Sequence, residues 1–277
     1  MRIDVKKTYK LFIGGAFPRS ESGRSYEIKN KKGEFIANPA LASRKDLRDA
    51  VVAAKNTSWS NATAFNRGQI LYRIAEMLES RTSQFVEEIV ALDGVSIAEA
   101  KREVSEAIDL WVWYAGWADK ISAAVGGTNP IAGPYYNFTI PEPLGIIGVI
   151  AEEKQSLLGL VRSLAPVIAA GNTAMVIASE SRPLTAITLA EVLATSDLPA
   201  GVVNILTGKK SELVPWLASH MEVDGIDISG ADPKSDTEIK VAGSENLKRI
   251  HRFDKEISPM RILAFMEYKT VWHPIGI

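Results

Sequence analysis

The stretch LGIIGVI, residues 144–150, decides the fold, because an unbroken apolar run is typical of a strand that is buried on both faces. Similar runs follow at 173–177 (TAMVI) and 202–206 (VVNIL). Helices are predicted at 157–170, 184–193, 212–217 and 234–242, and two shorter strands at 225–228 and 247–251. Apolar strands that alternate with helices predict an α/β fold with a doubly wound, Rossmann-like parallel sheet. Ligands bind such sheets at the carboxyl ends of the strands.

The residues before 144 contain sequence patterns typical of a β-hairpin and of helix N-termini. Residues 10–37 have β-forming character, and Gly14–Gly15 marks a turn within them. The segments Ser43–Asp46 and Ser96–Glu99 each match a capping box, so a helix is predicted to begin at each.

Two further segments with β-forming character lie outside the wound region. Residues 135–140 precede the wound region, and residues 262–272 follow it. We predict that these two segments pair with each other as a ribbon outside the main sheet.

Composition excludes several functional classes. The 277 residues carry 32 basic and 33 acidic side chains, so no cationic excess favours a nucleic acid partner. The chain has no cysteine, which excludes disulfides, thiolate metal sites and cysteine nucleophiles. No charged leader and no apolar run of membrane-spanning length occurs, so we expect a cytoplasmic protein without a membrane partner.

Motifs that point to a particular chemistry are missing from the sequence. No glycine-rich phosphate loop and no Gly-x-Ser-x-Gly elbow occurs. The histidines His220, His251 and His273 are far apart, and no metal site is predicted. The pair Glu152–Glu153 follows the first wound strand, where ligands bind, although a solvated loop is the more ordinary interpretation.

Three long phrases in the wound region resemble the aldehyde dehydrogenase superfamily. They are EPLGIIGVIA at 142–151, LAPVIAAGNT at 164–173 and LPAGVVNILTG at 198–208. The upstream helices and the opening hairpin match as well, so the resemblance covers nearly the whole chain. It implies the NAD(P)-binding fold of a family whose members oxidise aldehydes.

The resemblance also implies which positions would hold the catalytic groups. Members of the family use a cysteine nucleophile, a glutamate base and an asparagine amide that helps to bind an oxyanion. The asparagine position falls on Lys154 and the base position on Phe253, and the chain has no cysteine. Lys154 carries no amide and Phe253 accepts no proton, so we expect no catalytic residue and no activity of the chain on its own.

The positions that resemble the cofactor contacts of the family are partly retained. The stretch that holds the adenosine ribose falls on residues 177–180, where Ser179 and Glu180 are kept and a lysine is replaced by isoleucine. The pyrophosphate contact falls on Gly230 and Ala231, which keep the glycine and lose a hydroxyl. Because a positive charge and a phosphate donor are both gone, we expect no bound cofactor, with weak NAD binding as the alternative.

The segment YKTVW at 268–272 resembles the extreme carboxyl terminus of the family. The predicted domains are a NAD-binding-type domain at 1–253 that includes a ribbon strand at 134–142, a linker at 254–259 that replaces the catalytic domain, and a carboxyl-terminal oligomerisation strand at 260–277. The residues predicted to serve oligomerisation are Tyr135, Tyr136, Phe138, Tyr268, Val271 and Trp272. The arrangement resembles the noncatalytic carboxyl-terminal domain of the class-16 aldehyde dehydrogenases.

Three functional hypotheses follow from these patterns. The first is an assembly protein that forms a homodimer, or pairs with an active aldehyde dehydrogenase, through the ribbon. The second is a module that senses NAD or a related nucleotide without chemistry, which the retained Glu180 favours. The third is an oxidoreductase-family enzyme with a repurposed site at Glu152, Glu153 and Lys154. We favour the first, because the terminal strand is kept while all three catalytic positions are vacant.

Overall fold

The computed structural model of the chain describes residues 5–276, so the outermost ends of the predicted domains, residues 1–4 and 277, lie outside the described residues. The strands are β1 (Ile28–Lys29), β2 (Phe35–Ala37), β3 (Gly127–Thr128), β4 (Tyr135–Pro143), β5 (Ile146–Ile150), β6 (Thr173–Ile177), β7 (Val203–Leu206), β8 (Gly225–Asp227), β9 (Arg249–His251) and β10 (Met266–Pro274). The α-helices are α1 (Arg44–Lys55), α2 (Ala64–Ser80), α3 (Thr82–Asp93), α4 (Ile97–Trp117), α5 (Ile121–Val125), α6 (Leu158–Ala169), α7 (Leu184–Leu193), α8 (Lys210–Ser219), α9 (Asp236–Ser244) and α10 (Met260–Leu263). Within residues 5–276, no helix combines the length and apolar character needed to cross a membrane.

The central sheet contains five parallel strands in the order β7-β6-β5-β8-β9. Its register pairs Ile146 with Thr173 and Ile147 with Gly225. The chain first winds from β5 towards β7 and then returns to the other side of β5, so the order reverses between β5 and β8. The predicted α/β fold with a doubly wound parallel sheet is confirmed.

Apolar residues of the central strand face both sides of the sheet. Ile147 and Val149 pack into the larger apolar cluster, which also contains residues of α2, α3, α4, α6 and α7. Ile146 and Ile150 pack into the smaller cluster, together with residues of α1, α8 and α9. Complete burial of each such side chain stabilises the fold by roughly 1.5–3 kcal/mol. The unbroken apolar pattern of β5 therefore follows from its position between two helical layers.

The capping boxes predicted from the sequence are present. The Ser43 hydroxyl accepts from the N–H of Asp46, whose carboxylate accepts from the N–H of Ser43, and α1 begins at the next residue. Ser96 and Glu99 make the same reciprocal pair before α4. Each box supplies partners to backbone groups at a helix N-terminus that have none within the helix.

The two predicted ribbon segments pair with each other, as expected. Strands β4 and β10 are antiparallel over their full lengths, from Tyr135 opposite Pro274 to Pro143 opposite Met266. The short strand β3 adds to the other side of β4, so β10 is an edge strand. We call strands β3, β4 and β10 the ribbon.

The carboxyl-terminal strand begins later than predicted, because residues Met260–Leu263 form α10 and β10 starts at Met266. Pro259 lies at the N-terminal cap of α10 with φ −62°, a value that proline imposes and that suits a helical turn. The turn directs Arg261 and Ile262 into the interior, where both are buried. Burial of these side chains outweighs the β-forming character of the segment.

Arg261 anchors the segment that leads to the ribbon. Its guanidinium donates to the carbonyl oxygens of Arg162, at 3.3 Å, and Asp254, and lies 4.7 Å from the ring centroid of Phe253. The carboxylate of Asp227 is 4.0 Å away, and both charged side chains are almost completely buried. The buried charge of Arg261, which lies on the connection between β9 and β10, is therefore compensated by Asp227 of β8.

We predict that Arg261→Met destabilises the protein by about 3–5 kcal/mol, because it leaves the Asp227 carboxylate buried without its cation. Urea unfolding followed by tryptophan fluorescence measures the loss. The double variant Arg261→Met with Asp227→Val is expected to recover at least half of it, since no charge then remains unpaired. If the double variant lost as much stability as the two single variants lose together, this coupling would be contradicted.

Candidate functional site

The carboxyl edge of the sheet, at the crevice between β5 and β8, is the first candidate site. Ligands of doubly wound sheets bind where the strand order reverses, and here that point lies between these strands. The loops after β5, β6, β7 and β8 meet there. Their polar side chains determine what the crevice can bind.

The carboxylate of Glu153, in the loop after β5, accepts hydrogen bonds from the loop after β6. Its Oε2 accepts from the hydroxyls of Ser179 (2.8 Å) and Ser181 (2.6 Å) and from the N–H of Ser181 (3.0 Å). Its Oε1 accepts from the N–H of Glu180 (3.0 Å) and lies 2.5 Å from Nζ of Lys210. Burial alone would raise the pKa of Glu153, but the charge of Lys210 and the hydrogen bonds from Lys210 and Ser181 lower it to about 2. Glu153 is therefore held by the protein and is not the solvated loop residue that the sequence suggests.

Lys210, the first residue of α8, fills the crevice itself. Its ammonium donates to the carbonyl oxygens of Ala151 (2.5 Å) and Gly230 (2.8 Å), in addition to the contact with Glu153. The N–H of Gly230 donates to the carbonyl oxygen of Ile150 at 3.0 Å. A Cβ at Gly230 would lie 2.2 Å from the carbonyl of Ala151, so the two backbones touch. The glycine is required here for packing.

Glu180 caps helix α8. Its Oε1 accepts from Nζ of Lys209 at 2.7 Å, and its Oε2 accepts from the backbone N–H of Lys210 at 3.0 Å. A carboxylate at a helix N-terminus is stabilised by the free N–H groups and by the helix dipole. The residue predicted to contact a ribose thus already has two partners in the protein.

Glu103, on α4, caps helix α6 in the same way. Its Oε1 accepts from the N–H groups of Leu157 (3.2 Å) and Leu158 (3.4 Å). Burial raises the pKa of Glu103, although these two hydrogen bonds act in the opposite direction. The N-termini of α6 and α8, which border the crevice, both have carboxylate partners from the same chain.

The dinucleotide that the sequence resemblance implies does not fit this edge. Its pyrophosphate needs free N–H groups or cations. The N–H of Gly230, the N–H of Lys210 and the Lys210 ammonium already donate to the protein. Glu153 and Glu180 would in addition repel a phosphate.

Lys154 and Phe253 occupy the two positions at which the family resemblance implies catalytic groups. Lys154 is exposed in the loop after β5. The half-buried ring of Phe253 lies beneath the guanidinium of Arg261. Glu152, the neighbour of Glu153, pairs with the buried Arg162 at 3.2 Å. Neither position therefore holds the amide or the carboxylate base that the family resemblance implies.

Sequence reasoning missed Lys209, Lys210, Glu103 and Arg162. No local motif marks them, because their partners come from distant segments. The one available signal was that Lys209 and Lys210 follow closely after the wound strand that ends at Leu206, and so lie at the carboxyl edge. Within the described residues, no group of three or more His, Asp or Glu side chains is arranged to hold a metal ion.

A groove between α8 and α9 remains open beside the filled crevice. Its volume is about 450 Å³. Its apolar lining residues are Val214, Pro215, Ala218, Ala231, Ile239 and Ala242. The groove has room for a small flat molecule, whereas the polar edge next to it is occupied.

The ribbon is the second candidate site, because it exposes apolar side chains on both faces. By register and strand alternation, one face carries Tyr135, Tyr268 and Trp272, and the other carries Tyr136, Phe138 and Val271. The rings of Tyr135 and Trp272 lie 5.9 Å apart, edge to face. Trp272 is 59% exposed. Exposed aromatic residues grouped in this way are typical of surfaces that bind another protein.

Comparison with known proteins gives consistent matches. Residues 17–252 match the model of the "Aldehyde dehydrogenase family". The chain is 33% identical over 274 residues to cytosolic 10-formyltetrahydrofolate dehydrogenase of Mus musculus, covering 95% of this chain and 30% of that protein. It is 31% identical over 245 residues to an aldehyde dehydrogenase of Davidiella tassiana, covering 87% of this chain and 49% of that protein. The solved NAD+ complex of a Bacillus cereus aldehyde dehydrogenase superimposes with a TM-score of 0.82 at 25% identity, covering 88% of this chain and 50% of that one. The chain thus spans between about a third and a half of the length of these proteins.

We predict that Glu153→Gln lowers the free energy of unfolding by about 1–2 kcal/mol near neutral pH, a modest loss because the site is partly exposed. The folded-state pKa of about 2 lies below the ordinary value of 4.5, so the stabilisation by the carboxylate is complete above pH 4.5 and declines as the pH falls towards 2. Urea unfolding at a series of pH values should show the difference between wild type and variant shrinking over that range. The exposed Glu87→Gln serves as the control, and a pH-independent difference for Glu153→Gln would contradict the role of its charge.

Proposed function

Because this chain belongs to the aldehyde dehydrogenase family, we propose that it is a noncatalytic member of that family that acts in assembly. It pairs in the cytoplasm with a second copy of itself or with an active aldehyde dehydrogenase subunit. The observation that carries the proposal is the ribbon, which exposes aromatic residues on both faces and whose edge strand β10 has an outer side that no strand of residues 5–276 pairs.

The composition of the catalytic positions supports the noncatalytic part of the proposal. The chain has no cysteine that could attack an aldehyde. Lys154 and Phe253 stand where the family resemblance expects the amide and the base, and Phe253 packs against Arg261. The carboxyl edge of the sheet is filled by Lys210 and Glu153. These features leave no thiol nucleophile, and the protein's own groups occupy the crevice.

The connection between β9 and β10 supports the assembly part. In the proposed domain organisation, residues 1–253 are the nucleotide-binding-type domain, residues 254–259 replace a catalytic domain, and the following residues serve oligomerisation. Only α10 lies between β9 and β10, and the buried pair Arg261 and Asp227 holds it in place. The arrangement resembles that of the noncatalytic carboxyl-terminal domain of the class-16 aldehyde dehydrogenases.

The groove between α8 and α9 favours a second candidate function, binding of an adenine nucleotide without chemistry. Isothermal titration calorimetry with NAD, NADP and adenosine at millimolar concentration separates the two candidates. Under the assembly proposal, we expect no heat of binding, because the hydrogen-bond donors at the crevice already have acceptors within the protein. Heat that disappears in Ala218→Trp, which fills the groove, would favour the nucleotide-binding candidate instead.

We predict that the intact chain is a dimer by size-exclusion chromatography with multi-angle light scattering, and that Trp272→Ser makes it monomeric by removing an exposed anchor. Trp216→Ser is the matched control, since Trp216 is also a partly exposed tryptophan but lies on α8, against Arg44. Point variants are preferable to truncation before Ile262, because Ile262, Phe265 and Met266 belong to the core.

The same measurement is repeated after mixing the chain with an active aldehyde dehydrogenase from the same source. A complex that Trp272→Ser abolishes and Trp216→Ser preserves would support assembly with an enzyme. A chain that remains monomeric both alone and in the mixture would overturn the proposed function.

A further inference from the structure

The outer edge of β10 has backbone groups that no strand within residues 5–276 pairs. The carbonyl of Asn137 accepts from the N–H of Asn129, so the peptide groups of Asn137 face away from β10. Trp272 is the residue opposite Asn137 across the ladder, and its N–H and C=O therefore also face outward. By alternation, Tyr268 and Thr270 direct theirs to the same side.

Two contacts at the ends of β10 agree with this alternation. The carbonyl of Met266, four residues before Thr270, accepts from the guanidinium of Arg249 outside the β4 ladder. The N–H of Ile275 donates inward to the carbonyl of Pro134. The residues of β10 whose N–H and C=O groups face outward are therefore the even-numbered ones.

We propose that this edge pairs with the same strand of a second copy of the chain, antiparallel and centred on Thr270. The inference rests on the proposed assembly function and specifies its partner and its register. The two ribbons then form one continuous antiparallel sheet across a two-fold axis, an isologous interface in which the same surface serves both copies.

The choice of Thr270 as the centre follows from side-chain complementarity. Centring the pairing on Lys269 would place this lysine opposite its own copy, and like charges directly opposite each other destabilise a sheet. Centring it on Val271 would place Lys269 opposite His273, so that two basic side chains would face each other. Centring it on Thr270 places each Lys269 opposite Val271 of the second copy.

The Thr270 register also favours the remaining pairs. Glu267 lies opposite His273 of the second copy, so a carboxylate faces an imidazole that can donate to it. Tyr268 lies opposite Trp272, and cross-strand aromatic pairs contribute roughly 0.2–1 kcal/mol each. Both rings are exposed in the single chain. This register overlaps the two strands over their whole length, and Pro274, which has no N–H, ends the edge at each side.

Disulfide trapping with single cysteines tests the register, and the natural absence of cysteine removes any background. Directly opposite, hydrogen-bonded residues have Cα atoms about 5.5 Å apart, within disulfide range. Thr270→Cys is therefore expected to form a covalent dimer under mild oxidation at least tenfold faster than Lys269→Cys or Val271→Cys. In this register the latter two meet their own copies only diagonally, at roughly 7–8 Å, which is too far for a disulfide.

A proline variant tests the use of the backbone. Thr270→Pro removes an N–H that faces outward, so it blocks the edge without removing a hydrogen bond to β4. We expect the dimer dissociation constant from sedimentation to rise at least tenfold. Thr270→Val is the control, because it keeps the N–H and, like proline, removes the hydroxyl contact with Thr139; it should dimerise normally.

The outcomes separate this inference from the proposed function. Fast trapping of Thr270→Cys together with weakening by Thr270→Pro supports the strand pairing. Fastest trapping of Lys269→Cys or Val271→Cys overturns the register. A dimer that Trp272→Ser breaks, but that none of the three cysteines traps, overturns the strand pairing while the assembly function stands. A monomeric intact chain overturns the pairing, and the mixture with an active enzyme then decides the proposed function separately.

Discussion

The ion pair between Lys210 and Glu153 is the interaction on which the carboxyl edge of the sheet depends. A sheet buried on both faces leaves unpaired backbone groups at its strand ends, and these groups need partners. The Lys210 ammonium supplies them to the carbonyls of Ala151 and Gly230, while Glu153 accepts from the loop after β6. The network thereby joins the loops after β5, β6 and β8 to helix α8, and it fills the crevice in which related folds bind ligands.

The ribbon has the opposite character, since its polar backbone edge and its aromatic side chains face outward. Its connection to the central sheet is anchored, because Arg261, shortly before β10, is buried beside the carboxylate of Asp227 on β8. The ribbon therefore combines an edge strand with exposed aromatic residues on either face. Such an edge is open to strand addition unless a partner covers it.

Most elements could be predicted from local patterns, because apolar periodicity and helix caps act over only a few residues. The predicted bounds of β6 and α7 match the observed ones, and both capping boxes are present. The helix α10 was missed, because the burial of Arg261 and Ile262 against the rest of the protein outweighed the β-forming character of its residues. At the site, Ser179, Glu180 and Gly230 lie near the carboxyl edge of the sheet, and their partners within the protein were not foreseen from the sequence.

The sequence by itself determined the alternation of strands and helices in the wound region, the residue types at the catalytic positions and the absence of any thiol nucleophile. Only the tertiary structure decided what the retained polar residues do. Glu153 and Ser179 are 26 residues apart in the chain, and Lys210 and Ala151 are 59 apart. Ion pairs and hydrogen bonds act over a few ångströms, so contacts between such distant residues exist only after the sheet has brought the strand ends to one edge.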